Sequence, residues 1–386
     1  MDALPTEIRQ VPRLFLLSPS TYGEHRMYRL KYDGNGLLTK SKHAIVSQFK
    51  SIGSYYEHDF VFCNLFGFRR GDVDDGRSFV LFKSIGSYYK HDFVFCNLFG
   101  FRRGDVSNGR SYVLVNPLKG EVLMLPTTSD LQVPPNSSYC NDTYGMGFDN
   151  MTNTYKIVRV SRHLKEDHQT MVAAEVLVLG TSSWQELRSA PPCYPSCAVA
   201  TSTHGAVHWL VSRDHTSSSV HILSFDFKNE EFYWTPHPLA LKKKPNLLDS
   251  VHLLNFRGSL ALVDVSSSNI EIWVLVLKNY DDKKKHEWVL NYKIYMHKYP
   301  LRLGTFVSGV FDFGEWEHGI YFHEQNNRCR RIILFVDLTH RSMKSVLLKD
   351  RQTRMTIHSC TDNMISLKNF GDLVEEEEEW HSKVIL

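Results

Sequence analysis

The stretch "GAVHWLVSRDHTSSSVHILSFDFKNEEFYWTPHP" occupies Gly205–Pro238, and its reading decides the fold. A glycine opens a short apolar run, Ala206–Val211, and the polar segment Arg213–Ser219 follows. A second apolar run, Val220–Phe227, ends in the polar turn "KNEE". A third segment opens on Phe232 and stops at Pro236 and Pro238. Short runs rich in β-branched and aromatic residues, cut by turn formers, read as strands. "SFDF" alternates, so Phe225 and Phe227 face one side of their strand and Ser224 and Asp226 the other. Trp209 is a large apolar anchor, suited to packing one sheet against the next.

The same order recurs on both sides. "GSLALVD" (Gly258–Asp264) and "GIYFHE" (Gly319–Glu324) each open a strand on glycine. The glycine-opened strands come between hairpins: "LVNPLKGEVLMLP" (Leu114–Pro126), "VLVLGTSSWQEL" (Val176–Leu187), the hairpin of Ile222–Pro236, and "LFVDLTHRSMKSVLL" (Leu334–Leu348). Trp184, Phe232 and Met343 hold equivalent places after their turns. Successive units lie about 45 to 60 residues apart, near the length of a four-stranded propeller blade. No stretch sustains a helical period, and Leu301–Leu303 is only a weak helix candidate. The fold expected is all-β, a β-propeller-like ring of six or seven blades. A β-sandwich is the rival, but the order of glycine strand, hairpin, glycine strand favours the ring. In "TYGMGFD" (Thr143–Asp149), Gly145 and Gly147 permit close strand approach or a bulge. "DNMTNTY" reads as a turn whose Asx and Thr side chains bond their own backbone.

A second repeat is of another kind. "HDFVFCNLFGFRRGDV" runs from His58 to Val73 and again, letter for letter, from His91 to Val106. The copy extends to 49–81 against 82–114, an offset of 33, with differences such as Phe79 against Tyr112. Repeats that build a fold keep packing and turn residues and let the surface drift. Here Arg69 and Arg70 match Arg102 and Arg103, so 49–81 reads as a recent tandem duplicate. The second copy is expected to be the native one, because it runs into the segment that follows. The first is expected to pair as an extra strand or to form a long loop.

At 386 residues the chain can bury a large core, and 42% hydrophobic with 23% charged is ordinary for a globular protein. A net charge of +3 and scattered basic clusters (Leu241–Pro245, Asp282–His286, Arg328–Arg331) give no nucleic-acid footprint. No apolar run is long enough for a membrane span, and the start lacks a secretory signal. The sequons at Asn136, Asn141 and Asn150 then read as chance. Seven dispersed cysteines suit reduced thiols in the cytoplasm or nucleus. Cys193 and Cys197 fit neither a redox pair nor a zinc ribbon. The acidic run Glu375–Glu379 marks residues 371–386 as a solvated tail.

Taken in order, seven segments resemble the plant F-box proteins that carry an F-box-associated interaction domain, a kelch-like ring. They are "LVNPLKGEVLMLP", "TYGMGFDNMTNTYKIVRV" (Thr143–Val160), "AEVLVLGTSSWQEL" (Ala174–Leu187), "GAVHWL" (Gly205–Leu210), "ILSFDFKNEEFYWTPHP" (Ile222–Pro238), "GSLALVDVSSSNIEIWVL" (Gly258–Leu275) and "EWVLNYKI" (Glu287–Ile294). The resemblance covers the chain from about residue 110 onward. It implies substrate recognition in a Skp–cullin–F-box ubiquitin ligase, with a Skp adaptor, a cullin complex and a target protein as partners. Family members open with a helical F-box. Here "MDALPTEI" (Met1–Ile8) resembles its first residues, and the leucine-rich helices that should follow are missing. Residues 1–20 are therefore expected to be an F-box remnant, 21–370 the ring, and adaptor docking to be crippled.

Catalysis needs convergent polar groups, and the sequence carries no GxSxG, HExxH, Walker loop or helix-opening GxGxxG. His204 and His208, on one strand, would stand about 13 Å apart, too far to share a metal. His163 and His168 read as members of a polar loop. No catalytic, cofactor-binding or metal-binding residue is singled out, and no cofactor is expected. The expectation is a non-enzymatic binding module, with neither nucleic acid nor membrane as partner. A propeller enzyme or small-ligand protein with a site drawn from several blades is the alternative. The candidate contact loops are Arg162–Thr170, Arg213–Ser219, Tyr280–His286 and Gln325–Arg331.

Overall fold

A computed structural model describes residues 13–19, 25–32, 38–47, 62–69, 79–95, 98–103, 112–116, 119, 121–128, 138–164, 170–195, 200–212, 220–238, 251–265, 269–277, 286–295, 310–325, 331–348, 356–360 and 365–373. Their regular structure is strand, with one 3-10 turn at Leu367–Phe370. The first eight strands are β1 (Arg13–Pro19), β2 (His25–Tyr32), β3 (Leu38–Ser47), β4 (Phe62–Arg69), β5 (Phe79–Phe95), β6 (Leu98–Arg103), β7 (Tyr112–Asn116) and β8 (Glu121–Met124). Next come β9 (Ser138–Asp149), β10 (Thr154–Leu164), β11 (Thr170–Val178) and β12 (Gln185–Glu186), which make one four-stranded sheet. A second holds β13 (Ala200–Thr203), β14 (Ala206–Ser212), β15 (Val220–Asp226) and β16 (Glu231–Thr235). A third holds β17 (Val251–Phe256), β18 (Ser259–Asp264), β19 (Asn269–Leu277) and β20 (His286–Tyr295). A fourth holds β21 (Val310–Trp316), β22 (Gly319–Gln325), β23 (Arg331–Asp337) and β24 (Ser342–Leu348).

The last strand, β25 (Thr356–Cys360), returns to the beginning. It pairs antiparallel with β1, Arg13 opposite Cys360 and Leu17 opposite Thr356. That pairing heads a nine-stranded sheet in the order β25-β1-β2-β3-β4-β5-β6-β7-β8. The first strands of the four-stranded sheets pack in succession, β9 on β13, β13 on β17 and β17 on β21, and the nine-stranded sheet meets both ends of this series, β5 on β9 and β25 on β21. This is the all-β propeller expected from the glycine-strand repeat. Residues 13–19, inside the stretch read as an F-box remnant, are thus a strand of the ring. Residues 1–12, the weak helix candidate Leu301–Leu303 and the run Glu375–Glu379 lie outside the described residues.

The described residues of the tandem copy, 62–69 and 79–81, form strand. Phe66 pairs with Phe82, Gly67 with Leu81, Phe68 with Val80 and Arg69 with Phe79. In β6 and β7, Phe99 pairs with Val115, Gly100 with Leu114, Phe101 with Val113 and Arg102 with Tyr112. Every pair is the first set shifted by 33, so nearly identical sequence selects an identical hairpin register. β4 touches β3 through only two pairs, Val46 with Phe68 and Ser47 with Gly67. The copies differ where it counts. Tyr112, which replaces Phe79 of the first copy, reaches Asp142 Oδ2 with its hydroxyl at 3.3 Å and accepts a hydrogen bond from Tyr144. Only the second copy carries that hydroxyl.

The two glycine-opened strands at Gly205 and Gly258 owe their glycines to the turn before them. His204 and Gly205 have φ of 50° and 71°, and Arg257 and Gly258 have 53° and 82°. These are two-residue hairpins with both centres left-handed, the turn whose twist suits paired strands. Gly319 has another reason: it lies inside β22, where a Cβ would stand 2.1 Å from the Val336 carbonyl oxygen. A second turn recurs with an aspartate at its start and a left-handed residue four places on: Asp149 to Asn153, Asp226 to Glu230, Asp337 to Arg341. The Asp side chain accepts backbone N–H groups in each, from Met151, from Lys228, and from Thr339 and His340.

The described apolar clusters lie between neighbouring sheets, as a ring requires. The largest apolar cluster joins Tyr112, Leu114 and Leu123 to Met146, Ile157 and Val176, and continues through Val207, Trp209 and Phe225. Gly145 and Gly147 sit at the closest approach. A Cβ on Gly145 would lie 2.7 Å from Val207, and one on Gly147 2.3 Å from the Phe227 ring. Here β9 can meet the next sheet only because it lacks side chains at these two positions.

Candidate interaction surface

The inner wall of the ring is stapled from strand to strand. Ser202 of β13 donates to the Met146 carbonyl of β9, and Thr201 donates to the Leu253 carbonyl of β17 at 3.1 Å. Asn255 Nδ2 of β17 returns a bond to the Ser202 carbonyl at 3.0 Å, and Glu315 of β21 accepts the Arg257 N–H at 3.1 Å. His252 of β17 lies against Phe313 of β21, ring centres 4.7 Å apart. Its Nε2 is shielded and has no hydrogen-bond partner among the described residues, and burial pushes its pKa down to about 4.

Two buried ionic groups hold the sheet of β9–β12. Lys156 Nζ meets Asp149 at 3.0 Å and Glu230 of the next sheet at 2.7 Å, and donates to the Phe227 carbonyl. Burial opposes the lysine charge, but these partners prevail and raise its pKa; the mirrored argument lowers that of Asp149. Arg159, 1% exposed, bonds Asp142 and Glu175, beside Tyr112 and Tyr144. A polar chain crosses the whole of the next sheet: Thr203 to His208, His208 Nδ1 to Ser224 at 2.7 Å, Ser224 to Thr235 at 2.6 Å. Ser224 is fully buried, so no substrate reaches its hydroxyl and the Ser–His contact is scaffold. At the rim, Trp184 Nε1 donates to the Pro126 carbonyl at 2.9 Å, and Trp288 Nε1 does the same to Pro236. Each peg runs from one sheet to the end of the sheet before it.

The histidines singled out in the sequence are not brought together. His204 is in a turn, and His208 is buried in the polar chain. His163 is not in a loop: it belongs to β10, opposite Met171, and is 1% exposed. Cys193 is half-buried. Of the candidate loops, residues 165–169, 213–219, 280–285 and 326–330 lie outside the described residues, as do His168 and Cys197. Their flanks are strand: Arg162 and Thr170 in β10 and β11, His286 in β20, Gln325 and Arg331 in β22 and β23. Among the described residues no group of three or more His, Cys, Asp or Glu could hold a metal ion, and no helix is long and apolar enough to cross a membrane. The buried charges were missed by sequence reasoning, yet Lys156 and Arg159 interrupt the apolar run "YKIVRV", which was the available signal. Exposed apolar residues gather on the outer hairpin of β19 and β20, at Val276, Val289, Leu290 and Tyr295.

Comparison with known proteins gives the same architecture a family. A 26% identical relative is an F-box/kelch-repeat protein of Arabidopsis thaliana, matched over 39% of this chain and 39% of its own. A putative F-box protein of the same plant is 22% identical over 46% of this chain and 41% of its own. The chain thus spans about two fifths of the length of these curated relatives. Among solved structures, a chain from a study of two prolyl endopeptidases matches at 10% identity and a TM-score of 0.30, over 91% of this chain and 51% of that one. The profile of the F-box associated beta propeller domain matches residues 98–372, most of the ring just described. The chain belongs to the F-box associated beta propeller domain family.

Proposed function

We propose that this ring is the substrate-recognition part of a Skp–cullin–F-box ubiquitin ligase, holding a target protein for ubiquitination. The observation that carries the reading is family membership over residues 98–372, supported by relatives whose names mark them as F-box proteins. A stapled inner wall with loops between its strands suits a rigid frame that displays variable contacts. In this reading the target is held by the loops Arg162–Thr170, Arg213–Ser219, Tyr280–His286 and Gln325–Arg331, and the work is binding rather than catalysis. Adaptor docking is the separate part of the proposal. Only Met1–Ile8 resembles an F-box opening, and residues 13–19 already serve as β1. In this reading residues 1–19 do not by themselves dock the Skp adaptor.

Co-purification tests both parts. The native chain and the same chain carrying an intact F-box graft are mixed with a Skp adaptor. Capture by the graft alone is the expected result. Equal capture by the native chain would overturn this reading of residues 1–19 and leave a ligase subunit. Failure of the graft itself to assemble into an active ligase would count against the ligase role.

A further inference from the structure

Past β25, residues 365–373 join no sheet, yet they pack against the largest apolar cluster. Ile365 and Leu367 are buried, Leu367 fully, in the cluster shared by the β7–β8 hairpin and the β9–β12 sheet. Phe370 packs edge-on to Tyr155, ring centres 6.0 Å apart. Two side chains of the β7–β8 hairpin read the backbone of this segment. Asn116 Nδ2 donates to the Ile365 carbonyl at 2.7 Å. The Glu121 carboxylate accepts the Leu367 N–H at 2.6 Å and the Ser366 hydroxyl at 2.8 Å. Asn116 is itself set by accepting the Lys119 N–H at 3.2 Å.

This is the chemistry of a peptide site: main-chain groups held by fixed polar side chains, and alternate apolar side chains sunk in pockets. We infer that the groove between the β7–β8 hairpin and the β9–β12 sheet is a peptide-binding site, and that residues 365–370 are its tethered ligand. The ring closes through β25 and β1 without this segment, so the groove can exchange its occupant while the propeller stays shut. The exchanging partner is a protein segment of the same chemistry, apolar–Ser–apolar with an aromatic residue three places further on. The inference does not rest on the ligase role.

The test uses the full chain with a protease site placed within 361–364, cut after folding. A fluorescent peptide of residues 363–374 is added, and binding is read by anisotropy, with the ring's melting followed in parallel. Expected is saturable binding displaced by unlabelled peptide. A peptide with Leu367→Asp binds nowhere, and Glu121→Gln in the ring weakens binding about tenfold or more, the loss of a bond to a charged acceptor. A cut chain that keeps its melting transition and takes up no peptide would overturn the inference, as would binding indifferent to both changes. Unfolding of the ring once the cut segment leaves would overturn it too, since the segment would then be core rather than ligand.

Discussion

Placing a methyl group on Gly147 tests whether the close approach of β9 to its neighbour is as tight as described. The new Cβ would stand 2.3 and 2.5 Å from two atoms of the Phe227 ring, more than an ångström inside ordinary contact. That ring is fully buried and lies edge-on to Phe225, which packs in turn on Phe232, so it has little room to yield. Overpacking of this kind costs about 1–3 kcal/mol. Against it stands about 0.4–1 kcal/mol gained from a stiffer unfolded chain, because the backbone at Gly147 is not left-handed. Gly147→Ala should therefore destabilise by about 1–2 kcal/mol. Phe227→Ala alone should cost about 3–5 kcal/mol. Combined, the clash is gone and the entropic gain remains, so Gly147→Ala becomes neutral or slightly stabilising in that background. The coupling of at least about 1 kcal/mol is read from urea unfolding followed by tryptophan fluorescence, for which the chain supplies seven indoles. Equal costs for Gly147→Ala in both backgrounds would refute the reasoning.

Three further outcomes are expected. His252 takes its proton near pH 6.5 when unfolded and near 4 when folded, so stability is complete above pH 6.5 and declines as pH falls towards 4. Two and a half pH units correspond to about 3 kcal/mol at most, and His252→Phe should flatten the profile of unfolding free energy between those limits. Trp184→Phe removes the indole bond to Pro126 and should cost about 1 kcal/mol, seen as a lowered melting temperature; an unchanged value would mean the rim peg bears no load. Deleting residues 49–81 should leave circular dichroism and melting essentially unchanged, since β4 meets β3 through two residue pairs only; loss of cooperative melting would show the copy to be integral.

Much of this ring was legible in the letters because strand and turn chemistry is local. Gly205, Gly258, Asp226 and Asp337 announce turns by conformational and hydrogen-bonding needs that operate within four residues. Gly145 and Gly147 were legible as close approaches, but not what they approach, because Val207 and Phe227 are some sixty to eighty residues away. A like distance hid Phe227 and Glu230 as partners of Lys156, and Asp142 and Glu175, 17 and 16 residues from Arg159, lie on the strands flanking its own. Asn116 and Glu121 gave no local sign of what they hold, since their partners at 365–367 lie at the other end of the chain. His163 was misread because a polar neighbourhood in sequence, "SRHLKEDH", continues a buried strand. The duplicate was legible as a copy, and its hairpin register repeats that of the second copy despite the changes at Phe79 and Phe82. The candidate contact loops were the least legible, because loops follow no strand or turn periodicity.

The pairing of β1 with β25 sets the order of events during synthesis. A ribosome releases the chain from its amino end, and β1 waits, edge unpaired, while some 340 further residues are made. Four-stranded sheets can form one by one behind it from contacts near in sequence, but the circle has no last contact until Thr356–Cys360 emerges. Closure is then a contact of nearly maximal sequence separation, the slowest kind to find. Until it is made, the nascent protein presents an open strand edge, the surface on which a chaperone or an aggregating neighbour acts. A nonsense mutation just before β25 would thus remove little mass yet leave every molecule in that open state.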